Sequence, residues 1–174
     1  MGSEIERRIR YAAVWVPSKD TGIDLLVTSA RTNRPVSLQV KYSRDYSMQE
    51  AGLVAFGWWT LNRERVRQSK ADLWVFVLLP FEPRRGLERR AIQYVIVPPG
   101  DLAERLRQLH GRKKRLDTYL AVTPRRKCWE ARGLTVREKA LVAAGQDAHI
   151  HKARDFTRYL NAWWLLTQKL GRRR

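Results

Sequence analysis

The stretch GIDLLVTSARTNRPVSLQVKYS, residues 22–43, decides the fold of this 174-residue chain. Two runs of mainly apolar, β-branched residues flank a polar segment, and the motif NRP at 33–35 is typical of a turn. The stretch therefore predicts two antiparallel strands joined as a hairpin. Each predicted strand nevertheless carries polar side chains, Asp24 in the first and Gln39 with Lys41 in the second.

These three polar residues are predicted to share one face of the hairpin. Side chains alternate between the two faces of a strand, so Gln39 and Lys41 point the same way and Asp24 can meet them from the neighbouring strand. Burying polar groups costs free energy unless they are paired or bind a metal. Carboxylate and amide oxygens are ligands that Mg²⁺ accepts, and a metal-bound water polarised by a nearby lysine can attack a phosphodiester.

The segments around the hairpin predict an α/β protein with a mixed sheet. The strand candidates are rich in β-formers, and the apolar run at Asp72–Phe81 suits a central strand that is covered on both faces. The predicted order is a short helix from Ser3 to Arg8, strands at 11–17, 22–28 and 36–43, a helix at 58–70, and strands at 72–81 and 91–99.

The remaining third of the chain predicts a basic, mainly helical extension at 111–174, packed on a core at 1–110 within a single domain. A helix capped by Asp101 leads into it, and TYLAVT and KCWEARG are candidates for short strands. The segment TVREKALVAAG predicts a helix that begins after Thr135 and ends at Gly145. A last amphipathic helix is predicted at 153–170.

Net charge limits the class of partner. The chain carries 35 Lys+Arg against 17 Asp+Glu, a formal charge of +18, which favours a polyanion such as a nucleic acid. Membrane-binding charge is usually concentrated on one helix or tract, whereas here it is spread along the chain, and no apolar stretch is long enough to span a bilayer. We therefore expect a cytoplasmic protein that does not act on membranes.

The hairpin motifs resemble those of the PD-(D/E)xK nuclease superfamily, whose core has an acidic residue on one strand and a D/E-x-K triplet on the next. The matching motifs are GID at 22–24 and QVK at 39–41. The predicted element order is similar to that superfamily, and ADLWVFVLLP with YVIVPPGDLAERL resembles later strands of restriction-endonuclease-like and Holliday-junction-resolvase-like members. The resemblance covers about residues 3–110.

The resemblance implies a restriction-endonuclease-like core and a site for Mg²⁺ or Mn²⁺. Asp24 would bind the metal, Gln39 would supply an amide or main-chain oxygen, and Lys41 would position the attacking water or stabilise the developing charge. The alternative for the same residues is structural: Asp24 closes a turn, Gln39 is half exposed, and the lysine extends to solvent.

One departure from the superfamily pattern concerns the number of carboxylates. Gln39 stands where most members have an acid, which weakens metal binding, although some restriction-type members carry Q-x-K and are active. A further carboxylate would compensate. Resolvase-like members use a glutamate of the first helix, for which Glu4 is the candidate here, with Glu6 and Asp20 as the other possibilities.

These observations predict a metal-dependent DNA endonuclease of restriction, repair or recombination type, with a homodimer as a plausible assembly for cutting two strands. A non-catalytic nucleic-acid-binding protein on the same scaffold is the alternative. A third possibility, an RNA-binding protein of unrelated fold, requires 22–43 not to form a hairpin. The basic residues expected to contact phosphates are Lys19, Arg31 and Arg44 at the rim of the site, and Arg112, Lys113 and Lys114 in the extension.

Overall fold

The computed structural model describes residues 1–19, 21–30, 32–43, 53–80 and 91–171. It confirms an α/β fold with a mixed, eight-stranded sheet flanked by helices. The strands are β1 (Ala12–Trp15), β2 (Leu25–Ser29), β3 (Thr32–Tyr42), β4 (Ala55–Asn62), β5 (Leu73–Pro80), β6 (Gln93–Val97), β7 (Arg115–Val122) and β8 (Cys128–Glu130). The helices are α1 (Gly2–Arg8), α2 (Arg63–Arg67), α3 (Pro99–His110), α4 (Val136–Ala144) and α5 (Trp163–Lys169). None of the helices in these described ranges has the length and apolar character that crossing a bilayer requires.

The predicted hairpin is confirmed, and with β1 it forms an antiparallel meander. Its turn is shorter than predicted, because Ser29 pairs with Thr32 and the NRP motif at 33–35 therefore lies within β3. Pairing between β3 and β5 begins only at Leu38. The proline precedes the doubly paired part of the strand, where its missing N–H would interrupt a ladder.

Strand β5 is the centre of the sheet, as its apolar composition predicts. It runs parallel to β3 and antiparallel to β6, and six of its residues from Leu73 to Leu78 are buried. Parallel pairing of two strands requires a crossover connection. The connection between β3 and β5 contains β4 and α2, so it includes a strand as well as a helix.

The helix predicted at 58–70 is wrong over its first half. The residues from Ala55 to Asn62 form β4, which pairs with β7 along its whole length and alternates buried with more exposed residues up to its end. Trp59 packs edge-on against Phe76 of β5, with ring centroids 4.9 Å apart. Aromatic residues favour strands when cross-strand packing is available, and this packing outweighs the helical spacing seen in the sequence.

The segment at 111–174 is less helical than predicted, since β7 and β8 extend the sheet from β4. Both candidate short strands are thus confirmed, and so is α4, which has a capping box at Thr135 and a left-handed Gly145. The helix predicted at 153–170 is shorter: two 3₁₀ turns, Lys152–Arg154 and Thr157–Tyr159, precede α5. Its interruption coincides with Asn161, which has a positive φ of 50°.

The first turn of α3 also differs from the prediction. The helix begins one turn earlier than expected, with Pro98 as its N-cap and Pro99 in its first position, where a missing N–H costs nothing. Asp101 therefore does not cap the helix. Its carboxylate instead accepts a hydrogen bond of 2.7 Å from the hydroxyl of Tyr159.

Helices α1 and α5 pack on one face of the sheet, opposite the face that carries Gln39 and Lys41. Tyr94 of β6, which pairs with Val77, stacks edge-on against Trp163 of α5. Next to α1, strand β1 forms an edge of the sheet, and the outward N–H of Val14 donates to the Glu6 carboxylate at 3.2 Å. Helix α1 thus covers the backbone of this edge strand.

Candidate functional site

A cleft with a volume of about 600 Å³ opens over β3 and β5, on the face of the sheet away from α1 and α5. Its floor comes from the segment before β2, from β3 and from β5. Its opposite wall comes from the end of β4, from α2 and from the residues that follow α2. The lining residues are Thr21, Gly22, Asp24, Gln39, Lys41, Thr60, Leu61, Asn62, Arg65, Gln68, Ser69, Lys70 and Trp74.

The cleft brings together the three polar residues that sequence reasoning grouped. Asp24 lies just before β2 and joins β3 through its backbone, where its N–H donates to the carbonyl of Leu38 at 2.8 Å. The Gln39 side-chain amide donates a short hydrogen bond to Oδ2 of Asp24, and the backbone N–H of Val40 donates to the same oxygen at 2.6 Å. Neither of these contacts uses the other carboxylate oxygen, Oδ1.

The orientation of Gln39 follows from this hydrogen bond. Because Nε2 faces Asp24, Oε1 turns toward Gly22, at 3.7 Å from the position that a β-carbon there would occupy. Gly22 has a positive φ of 80°, which favours glycine. Because Gly22 has no side chain, Oε1 of Gln39 faces only its backbone. Gln39 itself is buried rather than half exposed.

Lys41 is held against an aromatic wall of the cleft. Its ammonium nitrogen lies 5.7 Å from the centroid of the Trp74 ring, a distance at which a cation–π interaction is favourable. Trp74 is buried and donates its indole N–H to Ser69 at 2.8 Å, which fixes the orientation of the ring. The ammonium group of Lys41 therefore lies over the floor of the cleft instead of extending freely into solvent.

The opposite wall adds two further cations, Arg65 and Lys70, both exposed. Asn62 ends β4 and accepts a hydrogen bond from the backbone N–H of Arg65, and this cap fixes the start of α2 over the cleft. Sequence reasoning missed this wall because it placed residues 58–70 in one continuous helix. The signal that identifies the wall is Asn62 directly before a basic run, a common helix N-terminus.

Glu4 does not line the cleft. Its carboxylate accepts hydrogen bonds from Arg7 and from Arg8, and these contacts, chiefly the one with Arg7, hold its pKa below its ordinary value. Glu6 is hydrogen-bonded to the backbone of β1. Asp20, the third candidate for an additional carboxylate, lies outside the described residues.

The predicted phosphate-binding residues fall into two groups. Lys19 is exposed two positions before Thr21, which lines the cleft, whereas Arg31 and Arg44 lie outside the described residues. The cluster at 112–114 is exposed and lies beside α2, because the carbonyl of Lys114 accepts a hydrogen bond of 2.9 Å from the N–H of Arg63. This basic loop at 112–114 is therefore adjacent to the opposite wall of the cleft, which we call the α2 wall.

The donor set of the cleft limits the kind of metal that fits. Among the described residues that line it, Asp24 is the one carboxylate. No group of three or more His, Cys, Asp or Glu in the described parts of the chain is arranged to hold a metal ion. Mg²⁺ commonly binds through one or two carboxylates while keeping several waters and substrate phosphates. Asp24 with Oε1 of Gln39 fits that mode of binding, but not a cage made of protein ligands alone.

The most strongly perturbed carboxyl group lies away from the cleft. Glu130 of β8 is fully buried, and this burial raises its pKa to about 7, although Arg154 lies 2.7 Å away and two backbone N–H groups donate to it. Arg154 also donates to the carbonyl oxygens of Glu130 and Arg132, so it joins β8 to the loop that follows. This pair supports the fold and is not among the residues that line the cleft.

Comparison of the chain with known protein families, with curated proteins and with solved structures found no match.

Proposed function

We propose that this protein is a metal-dependent endonuclease that hydrolyses phosphodiester bonds in DNA. The observation that carries this proposal is the convergence of Asp24, Gln39 and Lys41 in one cleft whose opposite wall holds Arg65 and Lys70. A cleft with one carboxylate and three cations attracts a polyanion, and the positive charge of the whole chain adds to this attraction.

The roles of the three floor residues follow from their contacts. Oδ2 of Asp24 is fixed by Gln39 and by the Val40 N–H, so Oδ1 is the oxygen that would contact a bound cation. Oε1 of Gln39 would be a second oxygen ligand. A Mg²⁺ or Mn²⁺ ion bound there would supply a polarised water and neutralise phosphate charge.

Lys41 and the α2 wall act on the phosphate itself. The ammonium group of Lys41, held over Trp74, would stabilise negative charge as it develops on the phosphate oxygens. Arg65 and Lys70 would hold the flanking phosphates, and the basic loop at 112–114 beside α2 would lengthen the contact with the nucleic-acid backbone. These cations position the strand without reading its sequence.

The topology also supports placing the core with the PD-(D/E)xK superfamily and its restriction-endonuclease-like fold. An initial helix, an antiparallel meander and a following strand parallel to β3 are present. Asp24 lies directly before the second strand of the meander, and Gln39 and Lys41 lie on the third. A homodimer would supply the two clefts needed to cut both strands of a duplex.

The test is cleavage of linear duplex, single-stranded and branched DNA and of RNA, with and without Mn²⁺. We expect metal-dependent nicking of DNA that Asp24→Ala and Lys41→Ala each abolish. Asp147→Ala and Lys169→Ala are the matched controls. Each removes one charge that forms an ion pair, Asp147 with Lys127 and Lys169 with Asp72, and neither partner lines the cleft. Cleavage that persists in both cleft variants contradicts the proposal.

A second candidate, non-catalytic nucleic-acid binding on the same scaffold, is favoured by one observation. Oδ2 of Asp24 is already satisfied by Gln39 and Val40, as it would be in a purely structural contact. This function predicts salt-sensitive binding of nucleic acid, no cleavage with any divalent ion, and no heat of Mg²⁺ binding that Asp24→Ala removes.

A further inference from the structure

An exposed tryptophan lies on the same face of the sheet as the cleft. Trp15 of β1 pairs directly with Leu26, and Leu26 pairs directly with Ser37, so these three side chains share one face. Ser37 is two residues before Gln39 on β3, and residues two apart on a strand point the same way. Trp15 therefore stands beside the cleft, two strands away from β3.

Trp15 is held in place although it is exposed. Its indole N–H donates a hydrogen bond of 2.9 Å to the hydroxyl of Thr28, which is two residues along β2 from its direct partner Leu26. The ring thus extends diagonally along the sheet toward Thr28, on the side of Leu26 away from Asp24. With 58% of the residue exposed, a large aromatic surface remains uncovered next to half-buried Leu26 and exposed Ala13.

The aromatic surface shares a sheet face with the candidate site but lies on the side of Leu26 that is away from Asp24. Residues lie about 3.4 Å apart along a strand, so Thr28, next to the indole, is roughly 14 Å from Asp24. Aromatic side chains beside a basic groove are the usual platform for unpaired bases, which stack on them without regard to sequence. Bases paired within a duplex do not expose their faces in this way.

We propose that Trp15 and Thr28 form a stacking platform for an unpaired DNA base a few nucleotides away from the phosphate bound at Asp24. The substrate class is then DNA with unpaired nucleotides near the cleavage site, as in single strands, flaps or branch points. This inference rests on the proposed function, because it identifies which nucleic acid the cleft takes. The cations of the cleft favour a nucleic acid over a second protein as the occupant of this surface.

The test measures binding of a labelled single-stranded oligodeoxynucleotide of about eight nucleotides, without divalent ions, so that cleavage plays no part. A second oligonucleotide of the same length has an abasic sugar-phosphate backbone. We expect Trp15→Ala to weaken binding of the normal oligonucleotide by about 5- to 150-fold and to leave binding of the abasic one unchanged. Trp15→Phe retains most of the affinity, because it keeps an aromatic face.

Trp164→Ala is the matched control, since Trp164 is similarly exposed but lies on α5, on the opposite face of the sheet. We expect it to bind both oligonucleotides as the unmodified protein does. Light scattering on Trp15→Ala tests the competing occupant: a change from dimer to monomer identifies the surface as an interface between copies and overturns the platform.

The outcomes separate this inference from the proposed function. If the unmodified protein binds the normal oligonucleotide and Trp15→Ala binds it within about two-fold of the same affinity, the platform alone is overturned. An equal loss of affinity for the normal and the abasic oligonucleotide also overturns it, because the loss then does not depend on a base. If the unmodified protein binds no nucleic acid, the proposed function fails as well.

Discussion

The side-chain amide of Gln39 on β3 is hydrogen-bonded to the carboxylate of Asp24, directly before β2, on the floor of the cleft. The pairing joins a donor to an acceptor, so it stabilises the floor in the absence of any cation. A glutamate in place of Gln39 would instead put two like charges in contact. We therefore expect the identity of residue 39 to determine whether a metal ion adds to the stability of the floor.

Gln39→Glu makes stability depend on divalent ions. Without metal, we expect the variant to lose about 1–3 kcal/mol of unfolding free energy, because a hydrogen bond is replaced by carboxylate repulsion next to a buried position. Addition of Mn²⁺ should restore the melting temperature, since Mn²⁺ would bind both carboxylates. Thermal unfolding with and without Mn²⁺ measures this. Gln168→Glu, the same exchange at an exposed position on α5 that does not line the cleft, should show neither effect; an equal response of the two variants contradicts the prediction.

We expect removal of both cations of the α2 wall to lower the salt dependence of the proposed DNA binding. Each phosphate contact with a single strand contributes about 0.7 to the slope of log affinity against log salt concentration. The Arg65→Ala, Lys70→Ala double variant should therefore bind single-stranded DNA more weakly, with a slope reduced by about 1.4. Affinity is measured by fluorescence anisotropy over a range of NaCl concentrations.

The control variant loses the same number of positive charges, but at positions outside the cleft. Arg137 on α4 and Lys152 are both exposed and do not line the cleft. Their double substitution by alanine should leave the slope close to that of the unmodified protein. The α2 wall makes no phosphate contact if the two double variants give the same slope.

Gly57→Ala should destabilise the sheet strongly. A β-carbon at Gly57 would lie 2.1 Å from an atom of the Trp59 ring, which is buried against Phe76 and cannot move without losing that packing. Overpacking of this kind costs about 1–3 kcal/mol or more. Gly100→Ala is the comparison, because nothing lies within 4 Å of that position in α3, and alanine there should stabilise the helix. Urea unfolding of both variants measures the difference, and a Gly57→Ala variant as stable as the parent would show that the ring is free to shift.

Glu130 should make the protein less stable as pH rises. Its pKa is about 7 in the folded protein against an ordinary value of 4.5, so its proton is bound more tightly in the folded state. This contribution is fully present below pH 4.5 and is lost as pH rises through about 7, by up to about 3 kcal/mol. The free energy of unfolding, measured in urea from pH 5 to 8, should therefore decrease more in the parent than in Glu130→Gln, which has no proton to lose.

Glu104→Gln is the control for this pH dependence, because Glu104 is an exposed acid on α3 whose pKa is lowered to about 2 by its hydrogen bond with Arg107. Its substitution should leave the decrease between pH 5 and pH 8 unchanged. A decrease of the same size in Glu130→Gln as in the parent would assign the pH dependence to other groups.

The sequence was sufficient to predict the floor of the cleft because strand periodicity is a local signal. Alternation alone places Gln39 and Lys41 on one face, and the turn between the two apolar runs brings Asp24 to them. The buried β5 and the capped α4 were predictable for the same reason. Each of these features depends on residues that are close together in the sequence.

The features that sequence reasoning missed depend on contacts between distant segments. Trp59 lies in a strand because Phe76 and β7 pack against it, although its neighbours have helical spacing. Arg65 and Lys70 reach the cleft only because that strand ends at Asn62 and reverses over the sheet. Glu4 could join the site only if α1 packed on the face of the sheet that carries the cleft. Helix α1 instead packs on the opposite face, where Ile5 is buried in the core and Arg8 lies over Trp163 of α5.

The hydrogen bond between Glu6 and the N–H of Val14 constrains how two copies of this chain can assemble. Edge strands are common points of association because their backbone donors can continue a ladder into another molecule. At β1 the chain's own carboxylate already occupies such a donor, and an incoming strand would have to displace a charged group to reach it. If two copies present their clefts to one duplex, we therefore expect them to be joined by side chains, or at another boundary of the fold.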